Sequence, residues 1–164
     1  MLQIDLTSLD DGLHEFELHP EPEELELDPS VFRSIVTHIR ADLSDGKVFA
    51  TYDIEAVATL QCDRTARLFD QTVSGGHAIA FMPPDEIPHD SDDENVLPLP
   101  VGDTRIDLTR SARDTLVLAL PVRRVAPDAE DKELKTVFGA PSTDDDAPID
   151  DRWEALRGLQ SDDT

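Results

Sequence analysis

The sequence predicts an α+β fold, a strongly bent, barrel-like antiparallel sheet with one main helix packed on it. Three observations predict it. Two long runs alternate apolar and polar side chains on either side of Ser44-Asp45-Gly46, and period-two alternation around a short turn is the pattern of a half-buried β-hairpin. A third run, from Leu68 to Phe81, carries Phe69, Val73, Ala78, Ile79, Ala80 and Phe81. Finally, Leu108, Ala112, Leu116, Ala119 and Leu120 recur at helical spacing, with Val117 widening the stripe. That stripe predicts a helix over 109–120 with one face on the sheet.

Taken in order, Leu2, Ile4 and Leu6 alternate and predict a short strand. TSLDDG at 7–12 is turn-forming, and Leu13, Phe16 and Leu18 suggest a second strand, giving an opening hairpin. Residues 19–30 hold three prolines among many carboxylates and read as a surface connection. Residues 31–44 fit two patterns. Val31, Phe32, Ile35, Val36, Ile39 and Leu43 suit a helix face behind Asp28 and Pro29. Ile35, Thr37, Ile39, Ala41 and Leu43 also alternate, and their β-branched content favours a strand over about 35–43. The partner run, KVFATYDIEAVATLQ, alternates throughout.

In the third run, Gly75 and Gly76 suggest a bulge or a close backbone approach. PPDEIPHDSDDEN at 83–95 has no apolar period and reads as a loop. The helix is the best intrinsic former in the chain. Asp107 or Thr109 can accept a hydrogen bond from its free N–H groups, and Pro121 stops it because it has no N–H to continue the ladder. Residues 1–127 are predicted as one domain, 128–150 as an acidic linker that is disordered by composition, and 151–164 as a short amphipathic segment and tail. A short helix over 128–136 is the one element suggested in that linker.

The formal net charge of −23 is the dominant global property. Such a chain repels phosphate backbones, so broad binding to DNA, RNA or an anionic membrane is disfavoured, and basic proteins or divalent cations are favoured. Lysines are few, at Lys47, Lys132 and Lys135. An acidic, lysine-poor surface also suits a salt-loaded cytoplasm, where salt screens self-repulsion. If the acidity is such an adaptation, the melting midpoint is expected to rise between low and molar KCl; an unchanged or lower midpoint counts against it. The acidic start, MLQIDLTSLDD, lacks the basic region and apolar run of a signal or transit peptide, and no stretch is apolar enough to span a bilayer. The expectation is a cytoplasmic protein.

Few residues carry candidate chemistry. Cys62 is the only cysteine, so no internal disulfide and no cysteine-only zinc site can form in one chain. In Cys62-Asp63-Arg64 a thiol beside an arginine could be activated, but free cysteine is so often buried that a small apolar position at a strand end is the favoured reading of Cys62. His14, His19, His38, His77 and His89 form no spaced ligand pair. HDSDDEN at 89–95 lacks the glycine and glutamate of a calcium loop. No nucleophile elbow and no phosphate-cradling glycine loop is present, so no cofactor is expected. Arg123 and Arg124 could grip a carboxylate or phosphate, or pair with local acids. Trp153, flanked by Arg152 and Arg157, has the composition of a partner anchor; alternatively it folds back on the domain.

Three stretches resemble a known family. AVATLQCDRTARLFDQTV resembles the signature of the YceD family, in which a strand runs into Cys-Asp-Arg-Cys-Leu and out into a second strand. DTRIDLTRSARDTLVLALPVRRVAPD is similar to that family's Ile-Asp-Leu helix ending in Leu-Pro, and its close looks most like the branch found in Bacteroidota-type bacteria. DDRWEALRGL is similar to the family's Asp-Pro-Arg-Trp tail. Cys62, Asp63, Arg64, Asp107, Arg152 and Trp153 match. The resemblance implies a role in accumulation of large-subunit ribosomal RNA, with no enzymatic activity established. Many members have two cysteine pairs that could bind zinc. Here Thr65 stands in place of the second cysteine, and VAPDAEDKE, where the later pair would fall, has none. No metal is therefore expected.

With that resemblance, the expectation is a non-enzymatic ribosome-biogenesis factor. It would act through a ribosomal protein or pre-ribosomal particle, or through a local Arg64, Arg123 and Arg124 patch touching RNA. Two alternatives stay open, an acidic chaperone-like module for a basic ribosomal protein and a divalent-metal-dependent hydrolase or nuclease.

Overall fold

The computed structural model describes residues 1–87 and 94–129. Among the described residues seven strands and one α-helix form an α+β arrangement, and its sheets are not closed into a barrel. Five strands make the main sheet in the order β2-β3-β4-β5-β6, namely Gly12–Leu18, Phe32–Ser44, Lys47–Gln61, Leu68–Met82 and Val96–Pro98. β1 (Gln3–Asp5) and β7 (Arg105–Asp107) form a second, two-stranded sheet.

The alternation in the sequence becomes burial. Along β4, Val48, Ala50, Tyr52, Ile54, Ala56, Ala58 and Leu60 face the core while the residues between them face outward. The β3–β4 hairpin closes through Asp45 and Gly46, both at positive φ (51° and 74°), the conformation that matches a tight turn to the right-handed twist of its strands. β3 extends beyond the expected 35–43, and a register shift between Arg33 and Val36 sits at Ser34, which has φ 52°. The helical alternative for 31–44 is not adopted. β5 pairs with β4 without interruption through Ile54↔Gly75 and Asp53↔Gly76, so the glycines make no bulge there. They permit close approach instead. A Cβ on Gly75 would lie 2.7 Å from Thr115 Cγ2, and one on Gly76 would lie 2.7 Å from Asp53 Oδ1.

Three expectations need correction. The opening hairpin does not form. β2 pairs with β3, whereas β1 pairs with β7 through Ile4↔Ile106, which buries Leu2 and Ile4 in the common core. The sheet is not wholly antiparallel either, because β6 adds parallel to β5 at Ala80↔Val96. Nor is 19–30 a plain surface connection. Pro22–Leu25 is a short 3-10 helix, and Pro20, Pro22, Leu25 and Leu27 are buried. The carboxylates point outward, and a few apolar side chains carry the packing.

Helix α1, Thr109–Leu118, packs on β4, β5 and the 3-10 helix. Asp107, one residue before the N-cap position Leu108, accepts the Thr109 N–H through Oδ1 at 2.8 Å, so of the two candidates it is Asp107 that meets a free N–H at the helix start. Thr109 Oγ1 instead accepts the Leu2 N–H, also at 2.8 Å. Leu108, Ala112 and Leu116 are fully buried, whereas Ala119 and Leu120 are half-buried and Val117 is exposed. The buried stripe is thus narrower than expected. Tyr52 ties helix to sheet, its hydroxyl lying 2.6 Å from Ser111 Oγ and 3.0 Å from Thr115 Oγ1. Among the described residues no helix is long and apolar enough to cross a membrane.

Candidate functional site

The β4–β5 hairpin ends at Gln61↔Leu68, and its turn, 62–67, is where the first family-like motif falls. The turn is tightly wound. Cys62 N–H donates to the Arg67 carbonyl and Ala66 N–H to the Cys62 carbonyl, each at 2.8 Å, and Ala66 sits at φ 55°. The chain leaving α1 passes across this turn. Asp63 N–H donates to the Arg124 carbonyl at 2.7 Å, and Asp63 Oδ2 accepts the Arg124 N–H at 2.8 Å. One Arg64 guanidinium nitrogen donates to the Ala129 carbonyl at 2.9 Å, and Arg67 pairs with Asp128. A one-turn 3-10 helix, Pro127–Ala129, closes the second limb. We refer to the two limbs together as the knuckle.

Between the limbs lies a small apolar core of Cys62, Ala126 and Ala129, with Phe69 and Val125 packed against it. Cys62 is 1% exposed, which fits a small buried strand-end residue. Its Sγ accepts the Ala126 N–H at 3.4 Å. That bond, with other donors in the turn, lowers the thiol pKa to about 7 against the opposing effect of burial. The thiol is more acidic than usual but closed off, so it has no open face for a substrate.

The zinc that the resemblance implies can be tested against these positions. A closed zinc site needs four N or S ligands in tetrahedral array. Cys62 and Thr65 are three apart on one limb, and Ala126 and Ala129 are three apart on the other. Only the first offers a sulfur, and the two alanines offer no donor at all. These residues do not fit zinc. Among the described residues no group of three or more His, Cys, Asp or Glu comes together to hold a metal, so the metal-dependent hydrolase reading finds no site there. The 89–95 run falls mostly outside the described residues.

The remaining predicted residues divide cleanly. Just ahead of α1, Asp107 accepts the Thr109 N–H. Burial pushes its carboxyl up, but hydrogen bonds from Gln3 and Thr109 outweigh this and hold it below the usual range. Arg123 and Arg124 are exposed and make no ion pair with any described residue, whereas Arg33, Arg67, Arg105, Arg110 and Arg113 all meet carboxylates. In the same stretch of chain, Leu118 and Val122 are 84% and 103% exposed. Arg152 and Trp153, with most of the expected 128–136 helix, the linker and the tail, lie outside the described residues. Sequence reasoning missed Arg67, and it pointed to VAPDAEDKE at 125–133 without singling out Ala126, Asp128 or Ala129. The repeated three-residue spacing was the available signal, and alanine hides it.

No curated protein and no solved structure matches the chain. The family model described as large ribosomal RNA subunit accumulation protein YceD matches residues 50–160, a span that takes in both limbs of the knuckle and all of α1. With more than half of its length under that match, the chain belongs to the YceD family.

Proposed function

We propose that this chain is a non-enzymatic, cytoplasmic factor in ribosome biogenesis that supports accumulation of large-subunit ribosomal RNA. The observation that carries the reading is the family match over residues 50–160. Its contact face is the segment leading from α1 to the knuckle, where Arg123 and Arg124 are exposed, as are Leu118 and Val122 in the same stretch. Arginine's planar fork suits phosphate and carboxylate alike, and a local basic spot can dock where the acidic remainder would be repelled. The ligand is a pre-ribosomal particle, reached through RNA phosphates or a ribosomal protein. The buried, hydrogen-bonded thiol of Cys62 supports a structural part for the motif over a nucleophilic one.

The test is complementation of a strain lacking the gene, with large-subunit RNA measured against small-subunit RNA. The wild-type chain should restore the ratio, and R123A/R124A should restore it only in part. A strain whose ratio never falls would sink the reading. Full rescue by R123A/R124A would remove the arginine face from it. Capture from the native extract at near-native salt, with RNA and protein both identified, names the partner; if RNA phosphates are touched directly, each lost arginine should reduce the salt slope of binding by about 1.

A further inference from the structure

The structure assigns the corners of a two-plus-two ligand set to Cys62, Thr65, Ala126 and Ala129, and we propose that this chain closes its knuckle with protein groups in place of an ion. The assignment rests on spacing and burial together. Each limb is a tight turn whose corner residues stand three apart, closed by Ala66 N–H to the Cys62 carbonyl on one limb and by Ala129 N–H to the Ala126 carbonyl on the other, both at 2.8 Å. One corner of the first limb and both corners of the second are buried against each other. An ion in such a place draws two turns together by bonding all four corners. In this chain three kinds of contact span the gap. The Ala126 and Ala129 methyl groups pack on Cys62. The Ala126 N–H meets the sulfur. Around the rim, Asp63 binds the Arg124 N–H and carbonyl, Arg64 reaches the Ala129 carbonyl, and Arg67 pairs with Asp128.

A metal-linked knuckle opens when the metal is removed. This one should be indifferent to chelators and sensitive to the size of its two alanines, because a close-packed site has no room for extra methylenes.

The experiment uses the full chain. Purified wild type should carry no stoichiometric zinc, give no thiolate charge-transfer band on addition of Co²⁺, and melt at the same temperature with and without EDTA. The triple variant T65C/A126C/A129C should retain one zinc per chain, give the tetrahedral cobalt–thiolate spectrum, and lose melting temperature on chelation. One zinc per wild-type chain, or a wild-type midpoint lowered by EDTA, overturns the proposal. So does a folded triple variant that takes up no Co²⁺, since its four corners would then not converge. Should the triple variant fail to fold, A129L decides. It should lower the midpoint by several degrees while remaining indifferent to EDTA, and an unchanged midpoint refutes the packed closure.

Discussion

Replacing Leu116 by alanine is expected to lower the stability of the folded chain by about 2–5 kcal/mol, the range for truncating a fully buried leucine. Leu116 is 0% exposed in the middle of the core cluster, and it lies one turn beyond Ala112 on the helix face that meets β4 and β5. The hole left behind cannot collapse easily. The helix is held at a fixed height by Tyr52 against Ser111 and Thr115 and by the close approach of Gly75 to Thr115, so the lost contacts are not remade. Urea unfolding should show the midpoint falling with an unchanged slope. A loss below about 1 kcal/mol would mean that α1 is not seated as described.

Leu25→Ala is the second large effect, and sequence pattern alone would place it among the harmless changes. Leu25 is also 0% exposed, in a segment whose neighbours are glutamates and prolines. It is the inward anchor of the 3-10 helix, which packs on α1 and whose Glu26 bonds Arg113 on that helix at 2.5 Å. Truncation should again cost about 2–5 kcal/mol. Glu26→Gln, which touches only the exposed ion pair, should cost no more than about 1 kcal/mol. Equal effects from the two variants would show that charge, not burial, holds this segment down.

The two variants mark the limits of what the sequence discloses. β4 was legible because a half-buried strand must alternate and its length repeats the signal many times. β3 fitted a helix face as well, and only its β-branched content and its turn to β4 favoured a strand, while β5 showed as an apolar run without a clean period. The start of α1 was legible because free N–H groups need an acceptor and Asp107 supplied one. The 3-10 helix was not, since Leu25 and Leu27 are too few to set a period among carboxylates. β1 and β7 have three residues each, too short for any pattern, and their pairing is invisible locally. Alternation reports that one face is buried but not whether a sheet closes, which is why a barrel-like form was expected and an open sheet found. At the knuckle, Cys62, Asp63 and Arg64 were legible as a motif, and their partners Ala126 and Ala129 were not, because alanine suits nearly any environment. Arg123 and Arg124 were legible as arginines, but their freedom from described carboxylates required coordinates.

The pairing of β1 with β7 also bears on how the chain assembles. The hairpins β2–β3, β3–β4 and β4–β5 join neighbours in sequence and can zip locally. The Leu2 N–H, by contrast, must find Thr109 across 107 positions. Contacts of such span carry a large loop-closure cost and slow folding. On the ribosome, β1 must wait until β7 and the start of α1 have been synthesised. Strand β1 is therefore a latch set late, and the core around Ile4 and Ile106 stays unsealed until it engages.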